Sequence, residues 1–232
     1  ITIQRSKGYA TRPTFSVKQI GELIAFCKNI KPDLVVMVDN CYGEFVETIE
    51  PSDVGADMVV GSLIKNPGGG LAPTGGYICG TKECIDRCAY RLSAPGLGQE
   101  VGANLGLLVS LYQGFFMAPK VVNGAVKGAC LCAKVFEKLG FAVSPKAEDK
   151  RSDIIETVQL GTAEGVIAFC EGIQAAPVEK EIAATGKPVE SVIIQEQGGT
   201  LGALQTGVRI ASRMAMEISA IPKVEFDISN LI

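Results

Sequence analysis

A chain of 232 residues with 47% apolar side chains can bury a sizeable core. Its 22 basic and 25 acidic residues give a formal charge of -3 with no basic block, which argues against nucleic acid or an anionic membrane as partner. It has no histidine, which excludes serine–histidine triads, histidine metal ligands and histidine bases, so a proton carrier must be Lys, Tyr, Cys or a carboxylate.

The chain begins at Ile1 in a strand-like run, ITIQRS, and the natural N-terminus is expected upstream. FSVKQIGELIAFCKNI then places Val17, Ile20, Leu23, Ile24 and Cys27 on one helical face, with Ser16 or Thr14 as the cap. LVVMVD is a continuous apolar run closed by a carboxylate, the pattern of a strand buried on both faces. DMVVGS and GGYICG repeat it, so the centre of a mostly parallel sheet covered by helices is expected.

Residues 83–92 and about 102–139 read as helical, the latter broken near Gly114 and Pro119. Within it, residues 101–119 carry no charge, but Asn104, Ser110, Gln113 and three glycines favour a buried helix over a membrane span. Beyond Gly140 the pattern changes. FAVSP, DIIETVQL and VESVIIQ are strand candidates, and AEGVIAFCEGIQAA and TGVRIASRMAMEI are helices. The expected division is an α/β domain over 1–140 and a smaller α+β domain over 141–232. The eight cysteines lack CxxC spacing, so reduced thiols in a cytoplasmic protein are expected and no metal site is. Cys84 and Cys88 share a helical face that reads as apolar packing.

Chemistry concentrates around GSLIKNPGGG. In an open α/β sheet, ligands gather at the carboxyl ends of the strands, where Asp39 closes one apolar run and Lys65 follows another. A structural salt bridge or two ordinary loop residues would explain the pair. The specific alternative is pyridoxal phosphate, which needs a lysine for its aldehyde and a carboxylate for its ring nitrogen. Ser62, three residues before Lys65, is placed for the cofactor phosphate and Tyr42 offers a phenol. The glycines 68–70 follow the lysine, which does not match a nucleotide P-loop, and read as a flexible loop through which substrate and a neighbouring subunit approach.

VDNCYGEFVE, GADMVVGSLIKNPGGGLAPTGGYICG and RLSAPGLGQEVGAN resemble the methionine gamma-lyase family proteins, also labelled aluminium resistance proteins, over about residues 1–176. The resemblance implies a three-layer, fold-type I pyridoxal phosphate domain and a carbon–sulfur lyase acting on a sulfur amino acid of cystathionine or methionine type by β or γ elimination. It implies that Lys65 forms the Schiff base and carries the proton, that Asp39 pairs with the pyridinium nitrogen, that Ser62 and Tyr42 contact phosphate and phenolic oxygen, and that Cys41 packs near the ring. A homodimer or homotetramer is also implied.

Two departures accompany the likeness. The family's upstream segment, with its phosphate-cradling glycine loop, has no counterpart, so the chain is expected to begin partway through the cofactor domain. The stretch after Ala176 differs and lacks the arginine that grips the substrate carboxylate, leaving Arg5 and Arg91 as the best-placed substitutes, although each reads more readily as a surface arginine or a structural ion pair. The alternative to an enzyme is a truncated, non-catalytic member acting as a structural or binding subunit.

Overall fold

The structure, a computed structural model, describes residues 1–175 apart from 9, 11, 93–95 and 99–104. Four strands, β1 (Thr2–Gln4), β2 (Met37–Asp39), β3 (Met58–Ser62) and β4 (Gly76–Gly80), form one sheet in the order β1-β2-β3-β4. The first three are parallel and β4 is antiparallel to β3, so this is a mixed α/β fold with a mainly parallel sheet. The register sets Gln4 beside Asp39 and Asp39 beside Val60, which brings the carboxyl ends of β1, β2 and β3 to one rim.

Helix α1 (Val17–Ile30) covers one face of this sheet. Its start is written in the sequence: the Ser16 hydroxyl accepts from the Gln19 N–H and the Gln19 side chain accepts from the Ser16 N–H. Ile20 and Ile24 pack with Ile3, Val38 and Val59 of the strands and with Val36 just before β2, and this cluster is the main core. At the end of α1, Lys28 bonds Asp57, whose carboxylate also accepts the Val36 N–H. Burial raises the Asp57 pKa, but Lys28 and that N–H outweigh it and hold it below the ordinary value.

Helix α2 (Lys82–Leu92) follows β4, and α3 (Leu108–Lys138) runs for 31 residues, roughly 46 Å at 1.5 Å per residue. The expected break near Gly114 and Pro119 is absent; the helix passes through both. Pro119 lies on the exposed side, as does Phe115 one turn before it, so the carbonyl that loses its N–H partner faces water. Gly114 is buried and serves an approach described below.

A two-stranded antiparallel pair, β5 (Ala142–Ser144) with β6 (Thr157–Gln159), and α4 (Ala163–Ala175) complete the described chain. Asp153 joins this region to the N-terminal segment by accepting from Ser6 and Thr14, and Lys7 donates to Ser144. The expected strand VESVIIQ and helix TGVRIASRMAMEI lie outside the described residues. Among the described residues no helix is long and apolar enough to cross a membrane, and all eight cysteines are free.

Candidate functional site

Because β2 and β3 are parallel neighbours, Asp39 and the residues after Ser62 emerge side by side. Lys65 is held in a tight turn: its N–H donates to the Ser62 carbonyl at 3.3 Å and its own carbonyl accepts from Gly68 at 3.0 Å. Its ammonium lies 4.0 Å from the centre of the Tyr42 ring, a cation–π contact. Tyr42 reaches this position from a left-handed backbone, φ 72°.

Asp39 accepts the Cys41 N–H at 3.1 Å, which folds the chain sharply at the end of β2. The Cys41 thiol is pushed up to about 11 by burial, opposed by Lys65 and reinforced by Asp39 and Glu44. Cys41 is therefore a neutral packing group at ordinary pH, and the charges of Asp39 and Lys65 both act on it. Asp39 and Lys65 form no salt bridge with each other, which removes the simplest structural account of the pair. Asp39, Cys41, Tyr42, Ser62 and Lys65 are all half-buried at this rim.

The loop after Asp39 folds over a buried polar network. Arg5, fully buried, donates through Nη1 to Asn40 (2.8 Å) and Glu50 (3.0 Å), and through Nη2 to Glu47 (3.1 Å). Asn40 donates to Glu50 and to the Tyr77 hydroxyl, which in turn donates to Glu44 at 2.9 Å. Burial raises the Glu47 pKa, but donors from Val17 and Ser152 together with Arg5 win and lower it. Glu44 is the opposite case: burial dominates and carries it up to about 8. Burial likewise raises the Tyr77 phenol well above its ordinary value.

Arg5 thus has a different occupation from the substrate-binding one expected: its guanidinium is turned inward and spent on internal acceptors. Gly43 makes room for it, since a Cβ there would lie 2.5 Å from Arg5 Cδ and Nε. Arg91 is exposed on the last turn of α2. The Cys84, Arg87 and Cys88 of that helix line an open groove of about 620 Å³ with Asp57 and Met58, at the amino ends of the strands and away from the Asp39–Lys65 rim.

The glycine-rich segment also differs from expectation. Asn66–Gly68 is a turn of 3-10 helix with all three residues buried, and Gly69 follows at φ 54°. A Cβ on Gly69 would meet the Gly114 carbonyl oxygen at 2.2 Å, and one on Gly114 would meet that of Gly68 at 2.1 Å. These glycines let α3 touch the lysine turn backbone to backbone; they serve close packing rather than openness.

The family model for methionine gamma-lyase matches residues 1–196. The chain belongs to the methionine gamma-lyase family. It is 54% identical over 183 residues to the uncharacterized protein YnbB of Bacillus subtilis (strain 168), covering 78% of this chain and 44% of that protein. A Listeria innocua structure, described by inference as a cystathionine beta-lyase involved in aluminum resistance, is 52% identical with a TM-score of 0.74, covering 78% of this chain and 45% of that one. A carbon-sulfur lyase involved in aluminum resistance from Clostridium novyi NT is 50% identical with a TM-score of 0.71, covering 75% and 41%. The chain spans less than half the length of these relatives.

Within this methionine gamma-lyase family chain, Glu44, Tyr77, Asn40 and Asn66 were not legible as site residues. A glutamate after a turn reads as solvated, and a tyrosine in a strand reads as core. The signal that existed was position: all four sit inside the two motifs that carry Asp39 and Lys65.

Proposed function

We propose that this chain carries the catalytic-lysine part of a pyridoxal 5'-phosphate-dependent carbon–sulfur lyase that acts on a sulfur amino acid of cystathionine or methionine type. The observation that carries the proposal is the seating of Lys65: a primary amine on the Tyr42 ring, at the same rim as Asp39 and free of a salt bridge to it. The names of the structural relatives point to the same chemistry.

The donor set fits the group. Lys65 offers the amine, Asp39 a carboxylate for the ring nitrogen, Ser62 a hydroxyl for the phosphate, and Tyr42 a phenol, with Cys41 as a neutral neighbour. When bound, pyridoxal phosphate supplies an aldehyde and a ring that withdraws electrons from the substrate α-carbon. Asp39 would be the residue that holds the ring nitrogen. In its neutral amine form Lys65 Nζ would take the α-proton and, then protonated, would give it up again, a role open to lysine in a chain without histidine. The turn that pins Lys65 against α3 limits the directions in which that proton moves.

The proposed architecture is the three-layer fold-type I domain over 1–140 with a smaller α+β domain over 141–232, in a cytoplasmic homodimer or homotetramer. An exposed apolar stripe on α3, formed by Val109, Tyr112 and Phe116, supports burial by further protein. Arg5 is engaged internally, which leaves Arg91 as the candidate for the substrate carboxylate.

Product analysis tests the reaction. With pyridoxal phosphate and cystathionine, β elimination yields homocysteine, pyruvate and ammonia, whereas γ elimination yields cysteine, 2-oxobutanoate and ammonia, each with uptake of one water. Either keto acid, absent with Lys65→Ala, is the expected result. A folded protein that binds the cofactor and releases neither from cystathionine or methionine would refute the lyase reading and favour a binding subunit.

A further inference from the structure

Glu44 is a buried carboxyl to which the scheme above gives no part. Its side chain is 4% exposed, Oε1 accepts from the Tyr77 hydroxyl, and Oε2 is buried with no hydrogen-bond partner among the described residues. Its seat is built by an omission on the lysine's own strand. A Cβ at Gly61, the residue before Ser62, would lie 2.5 Å from Glu44 Oε1 and 2.6 Å from the Tyr77 hydroxyl. Gly61 and Tyr77 are partners across β3 and β4, so the carboxyl is clamped against both strands.

What Glu44 anchors is the turn that touches Lys65. Tyr42 and Phe45, on either side, both have left-handed backbones, φ 72° and 63°, conformations that persist only when surroundings enforce them. The Tyr42 ring carries the lysine ammonium, and the Glu44 carbonyl accepts at 3.0 Å from the side chain of Asn66, the residue after Lys65. Asn66 is 1% exposed and its Oδ1 has no partner among the described residues, so this one bond orients it. We propose that Glu44 is a positioning residue for Lys65, its buried carboxyl locking the 42–45 turn onto β3 and β4 so that Tyr42 and Asn66 hold the lysine in place. The inference rests on the reading of Lys65 as the reacting amine.

The groups facing Glu44 are Tyr77 from β4, Arg5 from the end of β1, and Glu50 and Cys41 from its own loop. Burial keeps the carboxyl protonated up to about pH 8, and Glu50 adds to this while Tyr77 and Arg5 oppose it. Glutamine therefore copies the neutral-pH form. Ionisation above that value places a desolvated charge in the seat, only partly offset by Tyr77 and Arg5, and loosens the turn.

The test reads Lys65 without cofactor. The chain, Glu44→Gln and Glu44→Ala are labelled with acetic anhydride between about pH 6 and 10, on either side of the carboxyl's value, and acetylation of Lys65 is measured by peptide mass spectrometry against the exposed Lys18. Loss of a hydrogen bond of ordinary net strength predicts Lys65 in Glu44→Ala about threefold or more reactive at neutral pH, with Glu44→Gln restoring the original value. Above about pH 8 the unaltered chain should become more reactive than Glu44→Gln. A Glu44→Ala chain that melts normally with unchanged Lys65 reactivity overturns the proposal. So does a ratio of the unaltered chain to Glu44→Gln that stays flat across the range, and this arm decides if the alanine variant does not fold. Pyridoxal phosphate binding, followed separately by absorbance, shows whether the cofactor reading itself fails.

Discussion

Arg5 shows how a charged residue becomes structural. Its guanidinium is fully buried yet bonded to Glu47, Glu50 and Asn40, so the cost of desolvating it is met by charge-assisted hydrogen bonds. Removing it leaves two part-buried carboxylates and an amide facing an empty guanidinium site. Arg5→Met is expected to lower the urea unfolding free energy by about 3 kcal/mol or more, the cost of breaking a buried ion pair from one side. A loss within about 0.5 kcal/mol, the scale of a surface substitution, would contradict the network as described. The placing of Asp39 and Lys65 at one rim was legible because each follows an apolar strand run. Arg5 reads from the sequence either as a substrate ligand or as a structural ion pair, because the end of a strand says where a side chain starts and not which way it turns; the missing Cβ of Gly43 shows the path inward.

The element that departs most from its sequence pattern is α3. A glycine and a proline within one apolar stretch read as breaks, but the helix continues because each has a local compensation: Pro119 faces water and Gly114 faces another backbone. By contrast α1 was legible in detail, since Ser16 and Gln19 cap it through contacts that are local in sequence. The packing of α3 on the lysine turn is long-range and depends on paired glycines that sequence alone presents as flexibility. Gly114→Ala puts a methyl where only 2.1 Å separates it from the Gly68 carbonyl, so helix and turn must part. Overpacking of this kind costs about 1–3 kcal/mol, and Gly114→Ala should lower the melting temperature and also raise acetylation of Lys65. A normal melt with unaltered Lys65 would show that α3 does not hold the turn.

At the scale of the whole molecule, a mainly parallel sheet brings residues from β2 and β3 and from the loops after them to one rim, and membership of the methionine gamma-lyase family places that rim in a lineage of relatives described as carbon–sulfur lyases. The family was legible because its motifs are long and contiguous. The chain spans less than half the length of those relatives. Lys65, alone among the lysines, is the amine proposed to receive pyridoxal phosphate. The direct measurement is borohydride reduction of the chain incubated with the cofactor, followed by digestion and mass spectrometry of every lysine peptide. A pyridoxyl adduct confined to the Lys65 peptide, and lost when Lys65→Ala is treated in the same way, is the predicted result. A folded chain with adducts spread over exposed lysines such as Lys18 and Lys82, and none on Lys65, would contradict it.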